Sequence, residues 1–210
     1  TQGVTRLTYY AVDRAGNNST NQEVWFLADT VAPVVTAVAP ANGAATNIPP
    51  SVIAVTYTEA SSGLNLSRCT YAVAKGGVNI PGEWAYSTNM LTFTPAGTLM
   101  DGTYTVSIQL IDLLANTGAV FSSTFSVDSV APTVPVVSPV TTPTTINQQT
   151  IAGTREASSA ILRNGTQVVA LGTSTNWSYT QALTNGVNDF AFTARDAAGN
   201  ESTRTNVVIR

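Results

Sequence analysis

Three copies of one short element punctuate the chain, and their spacing limits the fold more than any other feature. They are Asp13-Arg14-Ala15-Gly16-Asn17, Asp112-Leu113-Leu114-Ala115-Asn116 and Asp196-Ala197-Ala198-Gly199-Asn200. A glycine lies ten residues before each Asp, at Gly3, Gly102 and Gly186. Sixteen residues after the first two, a second Asp opens a junction: Asp29-Thr30-Val31-Ala32-Pro33 and Asp128-Ser129-Val130-Ala131-Pro132. The first two copies are 99 residues apart, from 13 to 112, and the third follows after 84, at 196. Self-similarity of this kind marks a string of similar units.

Between the glycine and the Asp, apolar side chains alternate with period two, as in a half-buried strand. Leu7, Tyr9 and Ala11 share one face, then Tyr104, Val106, Ile108 and Leu110, then Phe190, Phe192 and Ala194. A second alternating run follows each Asn: Val24, Phe26 and Ala28, then Ser123, Phe125 and Val127, then Thr205, Val207 and Ile209. Strand, tight turn and strand predict a β-hairpin in every copy, with Gly16 and Gly199 free to take positive φ. Ala115 stands where that glycine should be, so Asn116 is expected to carry the left-handed residue in the middle copy.

Further strands are expected at Val34–Ala39, Val52–Thr58, Arg68–Ala74 and Met90–Thr94. In the last repeat they are expected at Val134–Val137, Gln149–Thr154, Ala160–Arg163, Gln167–Leu171 and Asn176–Gln181. Charged residues are only 10% of the chain, and Thr, Ser, Asn and Val dominate, a profile that disfavours helices. About seven strands in ~80–100 residues is the size of an immunoglobulin-like sandwich. The fold class is therefore all-β, with tandem sandwiches in an extended array. The boundaries are 1–30 (the last hairpin of a truncated domain), 31–129 and 130–210.

Residues 31–128 resemble the Ig-like domain of bacterial surface-layer proteins. The resemblance rests on Pro40-Ala41-Asn42-Gly43, Asn47-Ile48-Pro49, Val55-Thr56-Tyr57-Thr58-Glu59, Leu91-Thr92-Phe93-Thr94-Pro95, Tyr104-Thr105-Val106 and Asp112…Asn116. Residues 131–210 are similar to Ig-like modules of bacterial adhesins and secreted glycosidases, including glucodextranase domain B. There the matching residues are Ile151-Ala152-Gly153-Thr154, Asn185-Gly186-Val187-Asn188 and Ala194-Arg195-Asp196-Ala197-Ala198-Gly199-Asn200. These resemblances imply an extracellular or cell-surface bacterial protein. They say little of function, because such modules serve adhesins, stalks, surface layers and enzymes alike.

Several function classes fall away. The net charge is −3, and the nine Lys and Arg are scattered from Arg6 to Arg210, so no basic stripe exists for nucleic acid. No apolar run reaches the ~18–20 residues of a membrane helix. The first residues do not read as a signal peptide. One cysteine, Cys69, excludes an internal disulfide. With no His and one Lys, Lys75, neither acid–base catalysis nor zinc finds its usual groups. No enzyme is expected.

Residues 1–30 contain only a hairpin, which is marginal alone. Three accounts are open: a window of a longer array, strands supplied by another copy in a homo-polymer, or packing of the hairpin on the neighbouring domain. Trp25 is expected to point away from the face of Val24 and Phe26. With Tyr10 and Val12 it forms the expected inter-domain or inter-chain contact. Trp84 and Trp177 sit in strand-like patterns and are expected in cores.

Asp13, Asp112 and Asp196 at the turns, with Asp29 and Asp128 at the junctions, are the candidate ligand residues. Turns at one end of a sandwich could converge on Ca²⁺, which takes oxygen ligands, and the adhesin resemblance points the same way. The alternative is structural: a turn Asp accepts backbone N–H groups and needs no ion. No cofactor is required on either account. Pro33 and Pro132 fix φ in short, stiff junctions. The expected function is a rigid spacer, fibre or surface-layer segment whose partners are neighbouring Ig-like domains. The alternative is a carbohydrate- or receptor-binding accessory module.

Overall fold

The computed structural model describes residues 2–210, and among them every regular element is a strand. The strands are β1 (Gly3–Tyr9), β2 (Gln22–Ala28), β3 (Val34–Ala39), β4 (Ala44–Thr46), β5 (Ile53–Thr58), β6 (Thr70–Lys75), β7 (Val78–Asn79), β8 (Gly82–Ser87) and β9 (Met90–Pro95). They continue with β10 (Gly102–Gln109), β11 (Phe121–Val127), β12 (Val136–Val137), β13 (Gln148–Thr154), β14 (Ser159–Arg163), β15 (Thr166–Gly172), β16 (Asn176–Ala182), β17 (Asn188–Arg195) and β18 (Thr205–Ile209). The chain is all-β and immunoglobulin-like.

Two compact units divide it. One comprises the residues up to Gly43 with Pro50–Thr98 and Thr103–Phe125; the other comprises Ala44–Pro49, Leu99–Gly102 and Ser126–Arg210. Five sheets result. The hairpin β1-β2 is one, and two more have the orders β3-β5-β9-β8 and β4-β11-β10-β6-β7. The last two run β12-β13-β16 and β15-β14-β17-β18.

Alternation fills each sandwich from both sides, as facing sheets require. In the first unit the inward residues of β5 and β9 are Ile53, Val55, Leu91 and Phe93, and those of β6, β10 and β11 include Val73, Val106, Ile108 and Phe125, all buried. Half-buried Trp84 lies between Tyr71 and Phe93, with ring centroids 4.9 and 5.1 Å away. In the second unit Ile151, Ile161, Trp177, Phe190, Phe192, Ala194, Val207 and Ile209 form one core. Trp177 packs on Phe192 at 5.2 Å and donates its indole N–H to Thr154 C=O at 3.2 Å. Its polar edge is thereby satisfied while the ring is buried.

Candidate functional site

The Asp-x-x-x-Asn turn has the same bonding in all three copies. In each, the Asn backbone N–H donates to one carboxylate oxygen of the Asp and the Asn side-chain amide donates to the other. The distances are 2.9 and 2.8 Å for Asn17 on Asp13, 2.8 and 2.6 Å for Asn116 on Asp112, and 2.9 and 2.8 Å for Asn200 on Asp196. The Asp N–H returns to the Asn carbonyl at 3.0–3.1 Å. One carboxylate thus replaces the backbone partners that a tight turn leaves unmet. For Asp13 the Asn17 side chain, then its N–H, holds the carboxyl below the ordinary 3.8.

Positive φ falls at Gly16 (88°), Ala115 (69°) and Gly199 (95°). The expectation that Asn116 takes the left-handed residue in the middle copy is therefore corrected. Asn116 is held at both its backbone N–H and its amide, so the left-handed conformation stays one residue earlier, on an alanine that tolerates it poorly.

The turn also grips a junction. The Asn116 amide donates to Asp29 C=O at 3.0 Å, and the Asn200 amide to Asp128 C=O at 2.8 Å. An amide nitrogen has two hydrogens. One goes to its own turn and the other to the junction backbone. Each junction Asp then turns the chain with its side chain, Asp29 accepting from Val31 N–H at 3.0 Å and Asp128 from Val130 N–H at 3.1 Å. Pro33 and Pro132 follow, both buried. A Cβ on Gly118 would lie 2.3 Å from the Pro33 carbonyl oxygen, so only glycine lets the junction backbone approach that closely.

A further pair escaped the sequence reasoning. Gln2 Oε1 accepts from Thr30 N–H at 2.8 Å, and Asp101 Oδ1 accepts from Ser129 N–H at 3.0 Å. Residues 2 and 101 obey the 99-residue spacing of 30 and 129, so the repeat itself carried the signal.

Of the five Asp residues singled out, Asp29 and Asp112 are brought together; Asp13, Asp128 and Asp196 lie outside that group. Glu59, directly after β5, joins the pair, and one oxygen from each of Asp29, Glu59 and Asp112 lies within 4.8 Å of the other two. Asp29 and Asp112 are buried. Asp29 is held at about 2 by the Val31 N–H first, then by Ser62 and Gln2, which outweigh its desolvation. Glu59 Oε1 accepts from the N–H groups of Ser61, Ser62 and Gly63 at 3.1–3.3 Å. Its Oε2 is shut off from solvent and has no hydrogen-bond partner.

Tyr10, Val12 and Trp25 are exposed, with Arg6 stacked 5.6 Å from the Trp25 ring. The opposite residues Leu7, Tyr9, Val24 and Phe26 are also exposed, by 46–54%. Their repeat counterparts Val106, Ile108, Ser123 and Phe125 are 3% exposed or less, because there a facing sheet covers them.

Comparison with known proteins agrees with this architecture. The bacterial Ig-like domain family matches residues 29–127, from the first junction Asp to the last residue of β11. Those residues are a bacterial Ig-like domain. The fibronectin(III)-like modules of Clostridium thermocellum CbhA share the fold, with a TM-score of 0.52 and 14% identity over 84% of this chain and 92% of theirs. The chicken CNTN1 FN1–FN3 domains give 0.48 and 14%, over 99% and 76%. The methionine-rich copper resistance protein PcoC from Escherichia coli gives 0.41 and 16%, over 47% of this chain and all of its own. No curated protein matches the chain. A bacterial Ig-like domain has a general surface or structural role, is typically non-catalytic, and is usually found in extracellular proteins.

Proposed function

We propose that the chain is a structural segment of an extracellular bacterial surface protein, in which successive Ig-like sandwiches supply reach and stiffness. The observation that carries this is the paired junction bond, Asn116 to Asp29 C=O and Asn200 to Asp128 C=O. A flexible linker would be Gly/Ser-rich and solvated. Here each linker is a few residues long, fixed at a buried proline, and hydrogen-bonded through both backbone and side chain. Tyr10, Val12 and Trp25 belong to this proposal as the surface for a neighbouring Ig-like module, in the same chain or another copy.

Small-angle scattering tests it. The expected profile fits one conformer and broadens when Asn116 and Asn200 are both changed to Ala. A wild-type profile that needs a wide ensemble of bent forms overturns the proposal. Specific capture of a glycan by the intact chain would instead favour the accessory-module alternative.

A further inference from the structure

We propose that Asp29, Glu59 and Asp112 bind one calcium ion, and that the second junction, with Asp128, Glu156 and Asp196, binds none. An ion touching three oxygens at about 2.3–2.6 Å needs them no farther apart than roughly twice that distance. The 4.8 Å limit on this set meets the condition.

The decisive atom is Glu59 Oε2. A buried carboxyl oxygen with no hydrogen-bond partner is costly and rare in a native fold. The loop that could have satisfied it spends the N–H groups of Ser61, Ser62 and Gly63 on Oε1. The carboxylate is thus fixed in orientation by the loop, with Oε2 closed off from solvent, and it stands in one group with the two buried carboxylates of Asp29 and Asp112. No hydrogen-bond donor serves that oxygen, and the ion pair seen among the described residues, Arg6–Glu23, lies on the hairpin strands. A hard cation supplies what is missing. Asp29 and Asp112 keep unused lone pairs on oxygens that already accept N–H groups. An all-oxygen set rich in carboxylates suits calcium, whereas magnesium holds several waters and zinc takes His or Cys.

The second junction is built from the corresponding residues with a different outcome. Glu156 is separated from the end of β13 by Arg155, whereas Glu59 directly follows β5; it is exposed, and its Oε2 accepts from Thr133 N–H at 2.8 Å. Among the described residues, no three acidic ligands converge there. The site therefore cannot be read off the repeated Asp residues, since among the described acidic residues it is Glu59 whose buried oxygen lacks a hydrogen-bond partner.

Calorimetric titration of the chelator-stripped chain with calcium chloride is the test, joined to amide hydrogen exchange with and without the ion. One calcium per chain is expected, with protection at Val31 and Ser61–Gly63 and none at Thr133 or Asn200. Glu59→Gln should weaken binding by about tenfold or more, and Glu156→Gln should leave the titration unchanged. Far-UV circular dichroism of Glu59→Gln checks that the strands persist, and the wild-type exchange map stands without that variant. Absence of binding, two equivalents, protection at the second junction, or unchanged affinity in Glu59→Gln would each overturn the proposal. Binding at the first junction in a chain whose scattering shows freely bending modules would leave this inference standing and remove the spacer function.

Discussion

The two junctions begin from nearly the same residues and end with different chemistry. Both place an Asp after the last strand of a repeat, turn the chain with its carboxylate, bury a proline four residues on, and fix the Asp carbonyl with the Asn of a later turn. At the first, Glu59 is half-buried and stands with two carboxylates. At the second, Glu156 is exposed and caps a backbone N–H. A repeated motif therefore fixes the mechanical part of a junction, while the electrostatic part depends on one residue outside the motif.

Substitutions can break or sharpen that comparison. The largest effect should come from the second core: Phe192, fully buried against Trp177 and Phe190, should cost about 3–5 kcal/mol on change to Ala. Thermal unfolding would measure the loss. Hydrogen exchange at Val31 should stay unchanged, which separates core stability from the grip at the first junction.

Next come Asn116→Ala and Asn200→Ala. Each removes two donated bonds and leaves a carboxylate and a junction carbonyl short of a partner, so each should cost about 1–3 kcal/mol by denaturant titration. Similar values would show that the grip is common to both junctions. A loss confined to one would show that the repeat is not mechanically equivalent.

The turns themselves differ by one residue. Ala115→Gly should stabilise by about 1 kcal/mol and Gly199→Ala should destabilise by a similar amount, because both positions have positive φ. Opposite signs in paired thermal melts are the expected result.

The smallest effect concerns Asp13, whose turn carries the same bonding on an exposed hairpin. Its folded carboxyl titrates below the ordinary 3.8, so the native form binds fewer protons than the unfolded chain in that range. Its support of the hairpin is complete above about 3.8 and is lost as the pH falls through the lower folded value. Exchange of the Asn17 amide, followed from pH 5 downward, should show this, and Asp13→Asn should flatten it.

Much of this was legible in the sequence because strands and turns are local. β3 covers Val34–Ala39, the run that the flanking prolines set off, and Trp177 lies in the second core. The Asp-x-x-x-Asn spacing marked the turns that join β1 to β2, β10 to β11 and β17 to β18. Two short strands, β4 and β7, gave no periodic signal, since three and two residues cannot show alternation. Gln2 and Asp101 were within reach of the 99-residue period but do not look alike, so identity matching passed over them. Glu59 was visible only as part of a family-like stretch, Val55–Glu59.

The amino-acid order alone determined which residues alternate, where the chain turns, and that similar β units follow one another, because each of these depends on neighbours within a few positions. Only the tertiary structure decided that residues 29, 59 and 112 meet, that Glu59 keeps one oxygen bare, and that Ala115 takes the strained backbone angle. Those outcomes depend on how distant loops share a limited set of N–H donors, and that competition is settled only when the sheets pack.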